Sequence, residues 1–237
     1  MKRTITLLLA LCLGLSLCAC GGSAAPTTGN VPASQTTGNA PASQTETAPA
    51  PAEEGVPMGQ ITRDGNGAHY TNAYLGVACD LDSSWYVYSE EEMAQLMGVS
   101  QELLEGTDYE ELVKSADLYY DFCVTRLTDN ATVNINYSQP VQGLENVSED
   151  AVPERMLGQL KSSMEAAGMT DVQVDTVTVT FAGREKTAVR LSANFQGAAY
   201  HALQFYYFVN GRVATLTLGT FNEDRTLELT ELFYALD

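Results

Sequence analysis

Ala199-Tyr200-His201-Ala202-Leu203-Gln204-Phe205-Tyr206-Tyr207-Phe208-Val209-Asn210-Gly211-Arg212-Val213-Ala214-Thr215-Leu216 is the stretch on which the reading of the fold turns. A strand sends successive side chains to opposite faces. One face of 199–209 then shows Tyr200, Ala202, Tyr206 and Phe208, and the other shows His201, Leu203, Phe205 and Val209. Both faces are apolar, which predicts a central strand covered on both sides. Asn210-Gly211 between two apolar runs is a strong hairpin signal, because both residues tolerate the positive φ of a type I′ turn. Further turns at Ala182-Gly183 and Gln196-Gly197 divide 172–221 into four strands.

Just before these strands, 151–167 reads as a helix. Met156, Leu157, Leu160 and Met164 recur at helical spacing, Asp150 is the expected N-cap, Pro153 lies in the first turn, and Gly168 ends the helix. Two more strands are expected further back, at 118–127 and 131–137, joined by a turn at Asp129-Asn130. In the first, Tyr120, Phe122 and Val124 share one face, and Cys123 alternates with Asp121 and Thr125. In the second, Val133, Ile135 and Tyr137 oppose Thr132, Asn134 and Asn136. Three short helices precede them. Ser89 with Glu92 and Thr107 with Glu110 form capping boxes, and Ser100 starts the middle segment. The domain opens with two strands around a turn at 72–76, and Asp64-Gly65-Asn66-Gly67 reads as a plain turn. At the other end Asn222 is expected to cap a last helix with Leu229, Leu232, Phe233 and Leu236 buried. Together these elements make 66–237 an α+β domain, an antiparallel sheet with helices packed on both faces.

Tyr70-x-Asn72-x-Tyr74-Leu75-Gly76-Val77-x-Cys79-x-Leu81-Asp82-x-Ser84-Trp85 resembles the opening of PsbP-like lipoproteins. Cys79 stands where that pattern has an aromatic residue, Asp82 where it has Pro and Ser84 where it has Gly. The later order of helix, hairpins and C-terminal helix, with the Thr180-Phe181-Ala182-Gly183 turn, is similar as well. The resemblance implies a mostly non-catalytic, accessory or binding fold group, and so speaks for an architecture more than an activity.

The N-terminus reads as an address. Lys2 and Arg3 precede an apolar run from Ile5 to Cys18, which is too short to span a bilayer. Leu17-Cys18-Ala19-Cys20 resembles a bacterial lipoprotein signal, which implies removal of 1–19 and lipidation of Cys20. The two acyl chains of such an anchor suffice for stable attachment. This implies a chain lipid-anchored at the outer face of the bacterial cytoplasmic membrane. Residues 20–65 follow as the lipidated Cys and a Ser/Thr/Pro/Ala-rich tether with a nine-residue repeat at 27–35 and 36–44. Such a composition cannot bury enough apolar area to offset its ordering entropy. As a flexible coil it would span roughly 35–40 Å.

The whole chain has 12 Lys+Arg against 30 Asp+Glu, a formal net charge of −18. Loss of Lys2 and Arg3 with the signal leaves ten basic residues against thirty acidic, or −20. Nucleic acid is therefore not an expected partner, since phosphate contacts need clustered Lys and Arg. Residues 66–121 hold twelve acidic residues and a single cation, Lys114. Several acids fall in first helical turns, where the helix dipole favours them. They read first as a solvated surface, and second as a docking face for a basic partner or for divalent cations. The residues of that face are Glu90, Glu91, Glu102, Glu105, Asp108, Glu110 and Glu111.

Catalytic patterns are missing from the sequence. It holds only His69 and His201, with no HExxH, paired CxxC, GxSxG, Walker loop or GxGxxG. No catalytic residue, metal ligand or cofactor is expected. His201 reads as a core residue. Cys79 and Cys123 permit a single bridge, but the different faces on which their strands present them favour two separate, mostly buried thiols. The function expected is a non-catalytic binding or accessory module, with an unidentified extracytoplasmic protein as the expected partner beside the membrane. The alternatives are a carrier of an apolar small ligand and, behind it, a carboxylate-based hydrolase.

Overall fold

The computed structural model describes residues 56–98, 109–141 and 146–236. Eleven strands form two antiparallel sheets among these residues. The small sheet has the order β1-β2-β3-β11, with β1 Gln60–Asp64, β2 Gly67–Asn72, β3 Val77–Asp82 and β11 Phe233–Ala235. The large sheet has the order β4-β5-β6-β10-β9-β8-β7. Its strands are β4 Trp85–Val87, β5 Leu118–Arg126, β6 Thr132–Ser138, β7 Thr170–Phe181, β8 Arg184–Phe195, β9 Ala198–Val209 and β10 Arg212–Phe221. Four α-helices accompany them: α1 Glu90–Leu96, α2 Tyr109–Ser115, α3 Val152–Ala166 and α4 Thr226–Thr230. The fold is α+β and antiparallel, as the sequence predicts.

β9 is buried along most of its length and lies well inside the large sheet. The three turns of the 170–221 meander all have consecutive positive φ values: Ala182 and Gly183, Gln196 and Gly197, Asn210 and Gly211. These are the paired left-handed conformations of type I′ hairpins, whose twist matches that of the strands they join.

Register places the core. On one face of the large sheet, Tyr119, Tyr137, Ala214 and Tyr207 line up across β5, β6, β10 and β9. Phe122, Ile135, Leu216 and Phe205 form the next row, and Val124, Val133, Leu218 and Leu203 the third. The small sheet covers this face. Tyr70 stacks on Phe122 at 4.2 Å between ring centroids, and Phe233 meets Phe181 at 5.1 Å. On the opposite face α3 packs over β7, β8 and β9, burying Leu160 and Met164 against Val189, Leu191 and Tyr206.

Four details differ from expectation. The ordered fold begins before residue 66: β1 pairs with β2 from Gln60 to Asp64, and Val56 and Met58 pack on the core. Ile61 is its one strongly apolar side chain, so this strand is held largely by backbone hydrogen bonds. The last helix is only one turn long, and Phe233 lies in β11, paired with Cys79 of β3. The long helix has Ala151 at its N-cap, not Asp150, which lies in a preceding 3-10 turn. Finally, a bulge between Tyr120 and Phe122 puts Tyr119, not Tyr120, on the face of Phe122 and Val124. The Ser89–Glu92 capping box and the Gly168 helix stop are as expected.

Candidate binding groove

The extra residue of the β5 bulge is Asp121. Bulges re-aim a side chain and break the alternation of a strand. Here the carboxylate turns into the protein, where it is 3% exposed. Its Oδ1 accepts the Gly59 N–H at 2.7 Å; Oδ2 accepts the Tyr70 hydroxyl at 2.6 Å and the Asn72 amide at 2.8 Å. The Asn72 amide also lies 3.0 Å from the hydroxyls of Tyr70 and Tyr137, while its Oδ1 accepts the Leu75 N–H. One polar knot thus ties the segment leading into β1, and β2, to β5 and β6. It also explains the Tyr70-x-Asn72 spacing: both side chains point inward from alternate positions of one strand and meet the same carboxylate. Burial raises the Asp121 pKa, and the hydrogen bonds from Tyr70, Gly59 and Asn72 oppose that rise. The Tyr70 hydroxyl is pushed well up, first by burial and then by the Asp121 charge.

A groove of about 580 Å³ opens beside this knot. Its wall includes Met58, Met93, Arg63, Glu90, Glu91 and Asp121. Arg63 donates to the carbonyls of Val87 (3.3 Å) and Tyr88 (3.4 Å), which fastens β1 to the approach to α1. Glu90 and Glu91 occupy the first turn of α1 and are exposed. The exposed carboxylates of Glu90 and Glu91 outnumber the Arg63 guanidinium at the groove, with the Asp121 carboxyl buried behind its wall, a net negative lining that attracts cationic groups.

Of the acidic residues singled out in the sequence, Glu90 and Glu91 lie together at this groove. Glu110 and Glu111 lie in α2, and their side chains are outside the described residues, as are Glu102, Glu105 and Asp108. Cys20, the signal and the tether up to residue 55 are also outside them. Asp121, counted in the sequence only as part of the acidic stretch, is the buried member. Only its position beside two adjacent tyrosines, which disturbs the alternation, hinted at a bulge.

Elsewhere the chemistry is sparse. Cys79 and Cys123 are free and buried; burial pushes the Cys79 thiol up to about 12 and raises that of Cys123, so neither favours the reactive thiolate. His69 bonds Asp80 at 2.7 Å on the outer side of the small sheet, where Tyr234 donates to the same carboxylate at 3.0 Å. The His69 hydrogen bond holds Asp80 below its ordinary value. His201 is half-buried, not a core residue, and lines a separate cleft with Ser192, Asp175, Arg190 and Asp224. Ser192 and His201 are register partners. Asp224, however, accepts from the backbone and hydroxyl of Thr226, and Asp175 is held by Arg190. Among the described residues no three His, Cys, Asp or Glu side chains gather as a metal site would.

A neutral polar stripe was not legible in the sequence. Cys123, Asn134, Thr217 and Gln204 form one row across the α3 side of the large sheet, and Tyr120, Asn136, Thr215 and Tyr206 the next. These residues are buried. Tyr206 donates to Gln204 at 2.9 Å, and Asn136 donates to Asn134 at 3.3 Å. Gly219 makes room for the neighbouring row: a Cβ there would come within 2.7 Å of the Thr132 hydroxyl.

No family model matches the chain, and no curated protein matches it. Among solved structures it is similar to cyanobacterial PsbP (CyanoP) from Synechocystis sp. PCC 6803. The identity is 13% and the TM-score 0.40, over 78% of this chain and 97% of that one. It is also similar to LpqN of Mycobacterium tuberculosis, described as involved in cell envelope biogenesis, at 11% identity and a TM-score of 0.35, over 75% of this chain and 90% of that one. No helix among the described residues is long and apolar enough to cross a membrane.

Proposed function

We propose that this chain is a lipid-tethered extracytoplasmic binding module, whose groove beside Asp121 takes a basic segment of another protein at the membrane surface. The observation that carries the reading is the charge of the groove: the exposed Glu90 and Glu91 against the one cation of its described lining, Arg63. The N-terminal signal with Cys20 supports the anchor, and the Ser/Thr/Pro/Ala-rich stretch from Cys20 to residue 55 supports reach away from the membrane. Binding, not catalysis, fits a groove whose buried carboxylate already receives three hydrogen bonds and helps hold the sheets together.

The test is crosslinking pull-down from intact membranes with the full chain, comparing wild type with the Glu90→Gln/Glu91→Gln double variant. The expected result is a captured protein whose recovery falls in the double variant and falls again as salt rises, because exposed charge pairs are screened within about 10 Å at 0.1 M salt. Capture indifferent to both the substitutions and salt would overturn the electrostatic dock. Replacement of Cys20 by Ser is expected to release the chain from the membrane fraction; retention there would refute the anchor.

A further inference from the structure

We infer that the outer edge of β7 is a self-association surface, through which two copies of this chain join their large sheets into one. A sheet edge presents unpaired N–H and C=O groups that another strand can satisfy, and natural proteins blunt such edges with short strands, charges, proline or bulges. Among the described residues the other edges are blunted. At the far side of the large sheet β4 has three residues; in the small sheet β11 has three, and β1 carries Arg63 and Asp64.

β7 is different. It is twelve residues long, about 40 Å at 3.3–3.4 Å per residue. Its irregularity lies at the start, between Thr170 and Gln173. From there Thr176-Val177-Thr178-Val179-Thr180-Phe181 runs without a charge, a proline or a glycine. Among the described residues only β8 pairs with this strand. The threonines are exposed and the two valines half-buried. Alternating β-branched residues with low charge are the composition that favours further strand pairing.

Two features favour a second copy as the occupant. The first is pairing geometry. In an antiparallel pair, directly opposed residues lie on the same face. A two-fold axis perpendicular to the sheet, midway between the Thr178 residues of the two copies, sets Val177 opposite Val179 and Thr176 opposite Thr180 of the other copy. Val meets Val, Thr meets Thr, and both faces of the joined sheet remain continuous. The second is charge. Residues 152–195, which comprise α3, β7 and β8, hold five acidic side chains (Glu154, Glu165, Asp171, Asp175, Glu185) and five basic ones (Arg155, Lys161, Arg184, Lys186, Arg190). The entire excess of 18 negative charges lies elsewhere in the chain. Copies of so acidic a protein repel each other over most of their surface; this flank, even with Glu149 on Lys186 and Asp224 beside Arg190 counted, carries little of the excess, and is where they can approach with least repulsion.

The experiment uses the full chain in its own membranes, with Thr178→Cys introduced at the expected axis and mild oxidation applied. A disulfide-linked band of twice the monomer mass is expected from Thr178→Cys. It is not expected from the wild type, whose Cys79 and Cys123 are buried and whose Cys20 carries lipid on the function proposed above, or from an exposed control on the helix, Glu154→Cys. Adding Thr176→Lys and Thr180→Lys is expected to abolish the band while the circular dichroism melt is retained, since both side chains are exposed. Absence of the band, or a crosslink to a protein of different mass, would overturn the inference. Persistence of the band in the lysine variant would do the same.

Discussion

One inserted residue at Asp121 shifts the side chains before it in β5 to the opposite face. Tyr119 joins Phe122 and Val124 over the core, while Tyr120 turns toward the face of Asn136. Period-two reading fails here because adjacent tyrosines fit either phase, and only the pairing with β6 selects one. Removing the carboxylate should be severe. Asp121→Ala leaves the Gly59 N–H, the Tyr70 hydroxyl and the Asn72 amide without their buried acceptor, so a loss on the order of 3 kcal/mol or more is expected in urea unfolding. Asp121→Asn retains one acceptor oxygen and should lose less. The pH dependence separates the two forms of the carboxyl. A carboxyl raised in the folded state contributes stability that is full below its unfolded pKa and is lost as pH rises through the folded value. The stability gap between wild type and Asp121→Asn should therefore narrow as pH rises above the ordinary aspartate range. A gap that widens would show that the hydrogen bonds outweigh burial.

At the scale of elements, the hairpins of the 170–221 meander were the most legible part of the chain. Their turn pairs carry a local requirement, positive φ at two successive residues, which sequence expresses directly. Gln196 meets that requirement at a cost, with φ of 51° and an exposed side chain. Gln196→Gly is expected to stabilise the fold by about 0.5–1 kcal/mol, read as a higher urea midpoint with an unchanged slope. A lower midpoint would show that the Gln side chain or a stiffer unfolded chain matters more. The C-terminal segment was less legible. Leu229, Leu232, Phe233 and Leu236 fit helical spacing, but the edge of β3 offers backbone partners, and Phe233 is drawn into β11. β1 was missed for the converse reason: it has little apolar signal of its own, and its stability comes from β2 and from the Asp121–Gly59 bond.

At the scale of the molecule, two sheets share one core, and the chain crosses between them at its start and at its end. Phe233 is the terminal link: it is 5% exposed, lies 5.1 Å from Phe181, and belongs to a strand of only three residues. Phe233→Ala is expected to destabilise the domain by about 3–4 kcal/mol through lost burial and the cavity left behind. Hydrogen exchange should show the loss of protection spreading from β11 to β3. Loss confined to β11 would mean that the C-terminal strand opens independently of the core.

The sequence by itself determined the α+β class, the central position of β9, the three tight turns, and the long helix and its glycine stop. These follow from periodicity, from conformational preference and from composition, all of which act within a few residues. Tertiary structure alone decided the division into two sheets, the bulge at Asp121, the inward aim of Tyr70 and Asn72, the buried polar stripe and the bare edge of β7. Each depends on which distant strand supplies the partner for a backbone or side-chain group, and that pairing is chosen by the whole fold.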